Sequence, residues 1–182
     1  MIRTIRFRMT HFLALSVALC VFSVSLFGFL LVESNKVQKT KITYSSSQIV
    51  AAVNKYRLEN KLPALLLDEK LEKASQDKAK NMIEHNYFSH ISPKDGVRWS
   101  VFIQQSDYPY IEAGENLANG YSSVDEVVTA WLNSPSHKEN ILTPEYKDTG
   151  VAVQTGFLDG KPTIFVVQLF GEKEDVGFVR KV

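Results

Sequence analysis

The chain has 182 residues, of which 45% are hydrophobic and 23% are charged, which suits one compact domain with an appendage and argues against disorder throughout. The formal net charge is +1, but residues 1–41 hold six basic residues against one acid, so residues 42–182 carry a net charge of −4. Such a mildly acidic domain, without a basic run, is a poor nucleic-acid binder because phosphate binding requires clustered Lys and Arg. The single cysteine, Cys20, excludes an intrachain disulfide.

An uncharged apolar run covers residues 12–32 and follows three arginines, Arg3, Arg6 and Arg8. Its 21 residues, at about 1.5 Å each, cover the roughly 30 Å hydrocarbon core of a bilayer. The run is longer than the apolar core of a cleaved signal peptide, and its end lacks a small-x-small cleavage pattern. We therefore predict a transmembrane signal anchor at 12–32 after a short basic cytoplasmic terminus at 1–11, with secretion after cleavage as the alternative.

A polar, Lys- and Ser-rich segment at 33–46 is the predicted tether between this anchor and a folded domain at 47–171. The remaining residues, 172–182, are the predicted carboxyl-terminal tail. Positive charges on the two sides of the apolar run are nearly balanced, so the flanking charges do not set the orientation. Large downstream domains tend to be translocated regardless of these charges, which places the folded domain outside the cytoplasm.

The first two predicted helices have apolar stripes at helical spacing. One runs from a cap at Ser47 through Asn60 and leaves charged residues such as Arg57 mostly outside. The next begins at a cap at Asp68. Its stripe, the clearest in the chain, consists of Leu71, Ala74, Ser75, Ala79, Met82 and Ile83.

Shorter helices are predicted in the middle of the domain. A short helix is expected near 99–105, and residues 106–122 are expected to be irregular because of their Gly and Pro content. Ser123 precedes a glutamate by three residues, which is capping-box spacing and predicts a helix through residue 133. Ser134 is the predicted cap of another helix, which places His137 in its first turn.

The last part of the domain changes to the pattern of β-strands. β-branched residues predict strands at about 149–156 and 162–170, joined by a turn at Asp159-Gly160. Helices followed by an antiparallel pair of strands predict an α+β layered domain with an antiparallel sheet.

Three residues could carry chemistry: His90, Glu115 and His137. Two imidazoles and a carboxylate are the parts of a divalent-metal site, with Zn²⁺ as the first candidate, or of a general acid–base pair. The sequence has no HExxH or CxxC motif, so spacing alone leaves open that these are unrelated core or surface residues. Tyr110 and Tyr121 flank Glu115 and are the predicted aromatic rim of a ligand-binding cleft.

Four segments follow one another in the chain: YRLENKLPALLLDEKLEKASQDKA, FSHISPKDG, AGENLANG and WLNSPSHKENIL. Together they resemble the bacterial branch of the CAP superfamily, whose module is called the SCP domain, over about residues 47–171. Gly114 to Leu117 and the tryptophan before the second histidine are the most specific parts. The resemblance implies an α-β-α sandwich with a large open cleft.

The signature of that family is a tetrad of two histidines and two glutamates. By resemblance, His90 and His137 match the two histidines, and Glu115 matches one glutamate. The second glutamate of eukaryotic members lies three residues after the tryptophan, here Trp131, where this chain has Ser134. The resemblance therefore implies a triad in this chain.

Three functional hypotheses follow from the triad. In the first, which we favour, a membrane-tethered extracytoplasmic domain is non-catalytic, and its groove binds a divalent metal, a lipid, a cell-wall glycan or a protein. In the second, His90 and His137 hold zinc in a hydrolase with Glu115 as general base. In the third, the triad only stabilises the fold, and function lies in the surface loops.

Overall fold

The computed structural model describes residues 41 and 43–174. The predicted basic terminus, the anchor at 12–32, most of the tether and most of the tail lie outside these residues. Within the described part of the chain, no helix is both long and apolar enough to cross a membrane.

Five helices and four strands are described. The helices are α1 (Ser46–Glu59), α2 (Glu69–Glu84), α3 (Trp99–Gln105), α4 (Val124–Asn133) and α5 (Pro135–Leu142). The strands are β1 (Leu66–Leu67), β2 (Tyr110–Asn119), β3 (Asp148–Leu158) and β4 (Lys161–Lys173).

The helix starts agree with local capping chemistry. Asp68 caps α2 as predicted, because its carboxylate accepts hydrogen bonds from the amides of Lys70 and Leu71 at 2.9 and 3.2 Å. The cap of α1 is Ser45, two residues before the predicted Ser47, and Gln48 completes a capping box with it. Local side-chain chemistry therefore sets these boundaries, while periodicity locates the helix body.

The sheet is mixed and has the strand order β1-β3-β4-β2. The prediction of an antiparallel sheet is correct for the β3–β4 hairpin. β2, which was not predicted, pairs with β4 in antiparallel orientation, and β1 pairs with β3 in parallel, so the sheet as a whole is mixed. The hairpin turn at Asp159-Gly160 has positive φ at both residues, as a two-residue turn of type I′ requires. The two strands extend beyond their predicted ends, to the turn on one side and to Lys173 on the other.

β2 corrects the prediction that residues 106–122 are irregular. The strand lies at the edge of the sheet and contains Gly, Glu and Asn, residues that are depleted in strands. Its register with β4 is regular from Glu112 to Asn119. Residues far away in the sequence cover its polar groups, so the strand has no local alternation that could have revealed it.

Helices cover both faces of the sheet, which gives the α-β-α sandwich that the resemblance implies. α1, α4 and α5 pack on one face, where β4 contributes Ile164, Val166 and Phe170 to the core. α2 and α3 pack on the other face, where β4 contributes alternate residues, among them Phe165 and Val167. The central strand is therefore apolar on both faces, which explains its weak alternation.

Arg57 corrects a second prediction. It is fully buried and not on the outer face of α1, because it continues the buried stripe of Ile49, Val50 and Val53. Its guanidinium donates hydrogen bonds of 2.7–3.1 Å to four carbonyl oxygens. These belong to Pro63, Ile141, Thr143 and Tyr146, so one side chain joins α1 to both ends of the segment that follows α5.

Candidate functional site

The fold brings the three predicted residues to one cavity. His90 lies in the loop after α2, Glu115 in the middle of β2, and His137 in the first turn of α5. His90 Nδ1 lies 2.7 Å from Glu115 Oε1, and the ring centroids of His90 and His137 are 6.4 Å apart. The cavity, of about 310 Å³, is lined by His90, Trp99, Ala113, Gly114, Glu115, Ser136, His137 and Asn140, and we call it the central cavity.

Glu115 forms the buried side of this site. Its side chain has no solvent exposure, whereas that of His90 is half exposed. Burial raises the pKa of Glu115, while the hydrogen bond from His90 and the charge of Lys78 act in the opposite direction. Among the described residues no group hydrogen-bonds to Glu115 Oε2, although that oxygen is buried. A buried carboxylate oxygen without a donor is a strong acceptor for an incoming group.

The two histidines have different electrostatic environments. Burial lowers the pKa of His137, and the neighbouring His90 lowers it further. His137 is therefore mainly neutral at pH 7, so one of its ring nitrogens can donate a hydrogen bond and the other can accept one. His90 uses Nδ1 to contact Glu115, which leaves Nε2 as its second polar atom.

Lys78 holds the loop that carries His90, and the sequence interpretation missed it. The residue is fully buried, and its ammonium group donates hydrogen bonds to Ser89 O at 2.8 Å and to Tyr87 Oη at 3.1 Å. His90 O lies at 3.5 Å from the same nitrogen. The helical spacing of position 78 from Ala74, four residues earlier, is the signal that could have placed it on the buried face.

A set of asparagines connects β2 to α5. Asn116 donates to His137 O at 3.0 Å, and Asn140 donates to Glu115 O at 3.1 Å and to Asn116 Oδ1 at 2.8 Å. Glu115 and His137 are therefore held in place by hydrogen bonds to their main-chain carbonyl groups, in addition to the hydrogen bonding within β2 and α5. Only the resemblance drew attention to this segment, and Asn140 was not predicted.

Gly114 permits this close packing. A Cβ atom at Gly114 would lie 2.7 Å from Tyr146 Oη, closer than real contacts allow, and 3.0 Å from Asn140 Oδ1, which is tighter than most real contacts. Only glycine lets β2 approach these side chains without displacing them.

Ser134 occupies the N-cap position of α5, but its side chain makes no capping hydrogen bond. The helix instead begins with Pro135, whose fixed φ suits the first helical position. The predicted placement of His137 in the first turn is correct, although the cap chemistry that we expected is not used.

The two predicted rim tyrosines lie away from the central cavity. Tyr121 lines a separate depression of about 430 Å³ along α4, together with Asp125 and Thr129. Tyr110 packs against the core on the α2 side of the sheet. The aromatic residue that does line the central cavity is Trp99, at the start of α3.

The donor set is a poor fit for a resident zinc ion. Within the described residues, no group of three or more His, Cys, Asp or Glu side chains is placed to hold a metal. Two imidazoles that share a tetrahedral zinc at about 2.0–2.1 Å would have their centroids about 5 Å apart, shorter than the observed 6.4 Å. His90 and His137 would have to approach each other before they could bind one ion, and even then a third protein ligand is not in place.

A mixed sheet between two helical layers, with a His–Glu–His cavity at the edge strand, defines the class of protein. A family model described as the cysteine-rich secretory protein family, CAP, matches residues 50–170. The chain belongs to the CAP family.

Two Bacillus subtilis (strain 168) proteins are similar in sequence. The uncharacterized protein YkwD is 35% identical over 118 residues, which are 64% of this chain and 46% of YkwD. The uncharacterized membrane protein YlbC is 32% identical over 122 residues, which are 67% of this chain and 35% of YlbC. The matched part is therefore less than half of either relative.

Solved structures support the same assignment. An extracellular SCP-domain protein from Bacillus anthracis str. Ames has a TM-score of 0.60 at 30% identity, over 70% of this chain and 40% of that one. An outer surface protein from Borrelia burgdorferi has a TM-score of 0.59 at 29% identity, over 69% of this chain and 90% of that one.

Proposed function

We propose that this CAP domain is a non-catalytic binding module whose central cavity takes a ligand that donates a hydrogen bond to Glu115. The buried carboxylate carries the proposal. One oxygen is paired with His90 and the other has no donor among the described residues, so a ligand hydroxyl, amine or amide would complete the pairing. A lipid headgroup, a cell-wall glycan and a protein segment all offer such donors.

The rest of the cavity lining suits binding. Trp99 gives an apolar aromatic surface, while Asn140 and Ser136 add polar groups that can fix the orientation of a ligand. The asparagine bridges hold β2 and α5 in one arrangement, so a ligand would meet a preformed site.

The same cavity, as its described residues form it, lacks the pairs of groups on which common hydrolases depend. Ser136 hydrogen-bonds to neither of the two described imidazoles in the lining, so no activated hydroxyl nucleophile is formed there. Glu115 is the single carboxylate among the described lining residues, whereas glycoside hydrolysis ordinarily uses two. The donor set in this part of the chain also falls short of the three protein ligands usual for catalytic zinc.

One observation favours the alternative of a hydrolase with Glu115 as general base. Burial raises the pKa of this carboxyl group, as is common for catalytic acids and bases. In that case hydrolysis of peptide, ester or glycan substrates by the purified chain should fall at least about tenfold in Glu115→Gln. Activity that is unchanged by Glu115→Gln would exclude the assignment.

We place the module outside the cytoplasm and tethered through residues 12–32. This rests on the apolar run and on relatives that are described as extracellular, outer surface or membrane proteins. Zinc or another divalent cation at His90 and His137 stays a prediction, and titration calorimetry of the purified chain with Zn²⁺ against His90→Ala would test it.

Arrays of lipids, glycans and muropeptides, probed with the purified full chain and with Glu115→Gln, test the binding function. Glutamine keeps the size of the side chain but weakens the acceptor, so ligands of the cavity should lose about tenfold or more in affinity. If His90→Ala and His137→Ala together lower the melting temperature but leave all binding unchanged, the triad is purely structural and the proposal is wrong.

A further inference from the structure

The free edge of β2 is the strongest feature that the fold and the cavity leave without a role. β2 ends the strand order β1-β3-β4-β2, so within the described residues one side of it has no strand partner. Sheet edges attract other chains, and proteins usually block them. Here the edge is blocked along one half of the strand and open along the other.

The register shows which main-chain groups face that edge. The hydrogen bond from Gly120 N to Ile164 O continues the pairing of β2 with β4, so even-numbered residues such as Gly114 bond to β4. Odd-numbered residues therefore direct their amide and carbonyl groups outward. Ala113, Glu115 and Leu117 are the outward-facing residues.

Side chains block the carboxyl half of the edge. Trp131 Nε1 donates to Leu117 O at 2.9 Å, and Asn140 Nδ2 donates to Glu115 O at 3.1 Å. These two bonds confirm the outward direction of the odd-numbered carbonyls. They also keep another strand from pairing along this half.

The amino half of the edge is open. In the part of the chain that the structure describes, no group bonds to the outward amide and carbonyl of Ala113. Its neighbour Ile111 is 62% exposed, so an apolar side chain next to this part of the edge is free to contact a bound segment. Ala113 also lines the central cavity, so a chain paired there would run into the cavity.

The charged residues near the open half of β2 indicate which kind of segment could pair with it. The negative charges of Glu112, Glu139 and Glu145 all act on Tyr146, and the hydroxyl of Tyr146 lies against Gly114. The three glutamates are exposed. Of the lysines near this part of β2, Lys147 lies 4.0 Å from Glu172, and Lys173 is paired with Asp68 and Asp148. These lysines therefore do not offset the three glutamates, which favour a basic partner. A second copy paired edge to edge would bring its own Glu112 close to this one, which is unfavourable.

We propose that the edge of β2 at 111–113 pairs with an extended, basic peptide segment of a partner protein, which leads one partner residue into the central cavity. The segment would gain two main-chain hydrogen bonds from Ala113, an apolar contact with Ile111 and attraction to the glutamates. This deepens the proposed function by naming its ligand class and rests on the cavity being a binding site.

Fluorescence anisotropy with the purified full chain tests the inference. The probe is an octapeptide of alternating Val and Lys with a fluorescein label, and the controls are its Val-Glu counterpart and a copy that is N-methylated at every residue. The basic peptide should bind saturably, at least about tenfold more tightly than either control, and more weakly at high salt. Equal binding of the N-methylated copy would show that main-chain pairing is not involved and would overturn the proposal.

Variants of the chain locate the binding. Ala113→Pro removes the outward amide without touching the bonds to β4, and it should weaken the peptide at least about tenfold. Glu112→Lys should weaken the basic peptide and strengthen the acidic one. Parent-like affinity in both Ala113→Pro and Glu112→Lys would overturn the assignment to this edge.

The outcome also separates this inference from the function on which it rests. If lipids or glycans bind in a Glu115-dependent way and no peptide binds, the peptide inference fails alone. If the peptide binds with unchanged affinity to Glu115→Gln and to His90→Ala, the edge binds peptide but the cavity takes no part in it, which overturns the part of the inference that leads a partner residue into the cavity.

Discussion

His90 and His137 reach the same cavity from supports of different kinds. His137 lies on a regular helix, and the guanidinium of Arg57 fixes the far end of that helix through carbonyls that do not line the cavity. His90 lies in a loop, and the ammonium group of Lys78 bonds to main-chain oxygens of that loop.

The two buried cations therefore differ in what they affect. Arg57 contacts carbonyl oxygens, so its role is to hold the fold together. Lys78 also acts through its charge on Glu115, and burial lowers the pKa of Lys78 while Glu115 and Asp95 raise it. On the His137 side of the cavity, the buried cation contacts only carbonyl oxygens. On the His90 side, the buried cation supports the loop and also favours the ionised form of Glu115.

Loss of Arg57 should have the largest effect. Arg57→Met keeps much of the volume but leaves four carbonyls without their donor, so we expect a loss of about 3–5 kcal/mol in the free energy of unfolding. Urea denaturation followed by circular dichroism measures this loss. Lys55→Met, at an exposed position on the same helix, is the matched control and should change stability by less than about 0.5 kcal/mol. A small loss in Arg57→Met would mean that water replaces the guanidinium.

Loss of Lys78 should cost less stability but should alter the site more. Lys78→Met fills the same space and removes fewer hydrogen bonds, so we expect a loss of about 2–3 kcal/mol. Without the ammonium group, the pKa of Glu115 should rise further, as NMR titration of the carboxyl carbon would show. The exposed Lys80→Met is the control. If Arg57→Met shifts this pKa as much as Lys78→Met does, the distinction between the two cations is wrong.

The fold was largely predictable because most helices carry local signals. The cap at Asp68, the stripe of α2, the helix start at Pro135 and the turn at Asp159-Gly160 depend on neighbouring residues. β2 was not predictable, because the main-chain carbonyl groups on its free edge accept hydrogen bonds from side chains of α4 and α5, which come later in the chain. The parallel strand β1 is two residues long and has no pattern of its own.

The site was predictable in part, and only through the resemblance. His90, Glu115 and His137 are far apart in sequence, and no spacing rule brings them together. Arg57 and Lys78 were missed because charged residues are usually exposed, although both continue buried helical stripes. The general lesson is that a cation on an apolar stripe is a candidate buried donor to main-chain oxygens.

Gly114 allows β2 to pack closely against Asn140 and Tyr146, and a larger residue at this position should disrupt that packing. Gly114→Ala places a methyl group against Tyr146 and Asn140, and we expect a loss of about 1–3 kcal/mol through overpacking. Tyr146→Phe in the same chain removes the hydroxyl at 2.7 Å and should recover part of that loss. A double-mutant cycle by thermal unfolding measures the coupling. Additive losses would show that the clash with the hydroxyl is not the cause.

The smallest effect that we predict is a slope of stability with pH, which arises on the His90 side. Because burial raises the pKa of Glu115, the folded chain binds more protons than the unfolded chain above the ordinary value of 4.5. Glu115 therefore destabilises the fold increasingly as the pH rises from 4.5 through its raised folded-state pKa. His137, whose pKa is lowered, has the opposite slope below its ordinary value of 6.5, so the total curve is shallow.

The contribution of Glu115 is isolated by subtracting the free energy of unfolding of the parent chain from that of Glu115→Gln at each pH. His137 contributes to both values, so its effect cancels. The variant should gain stability relative to the parent as the pH rises from about 4.5 to 7, as measured by urea denaturation at each pH. When both chains also carry Lys78→Met, the difference in stability should depend more steeply on pH, because the positive charge that favours the carboxylate is absent. In Arg57→Met, where stability allows the measurement, the difference should equal that of the parent. A pH-independent difference in the parent background would mean that Glu115 keeps an ordinary pKa, and that Lys78 supports the loop without setting the charge of the site.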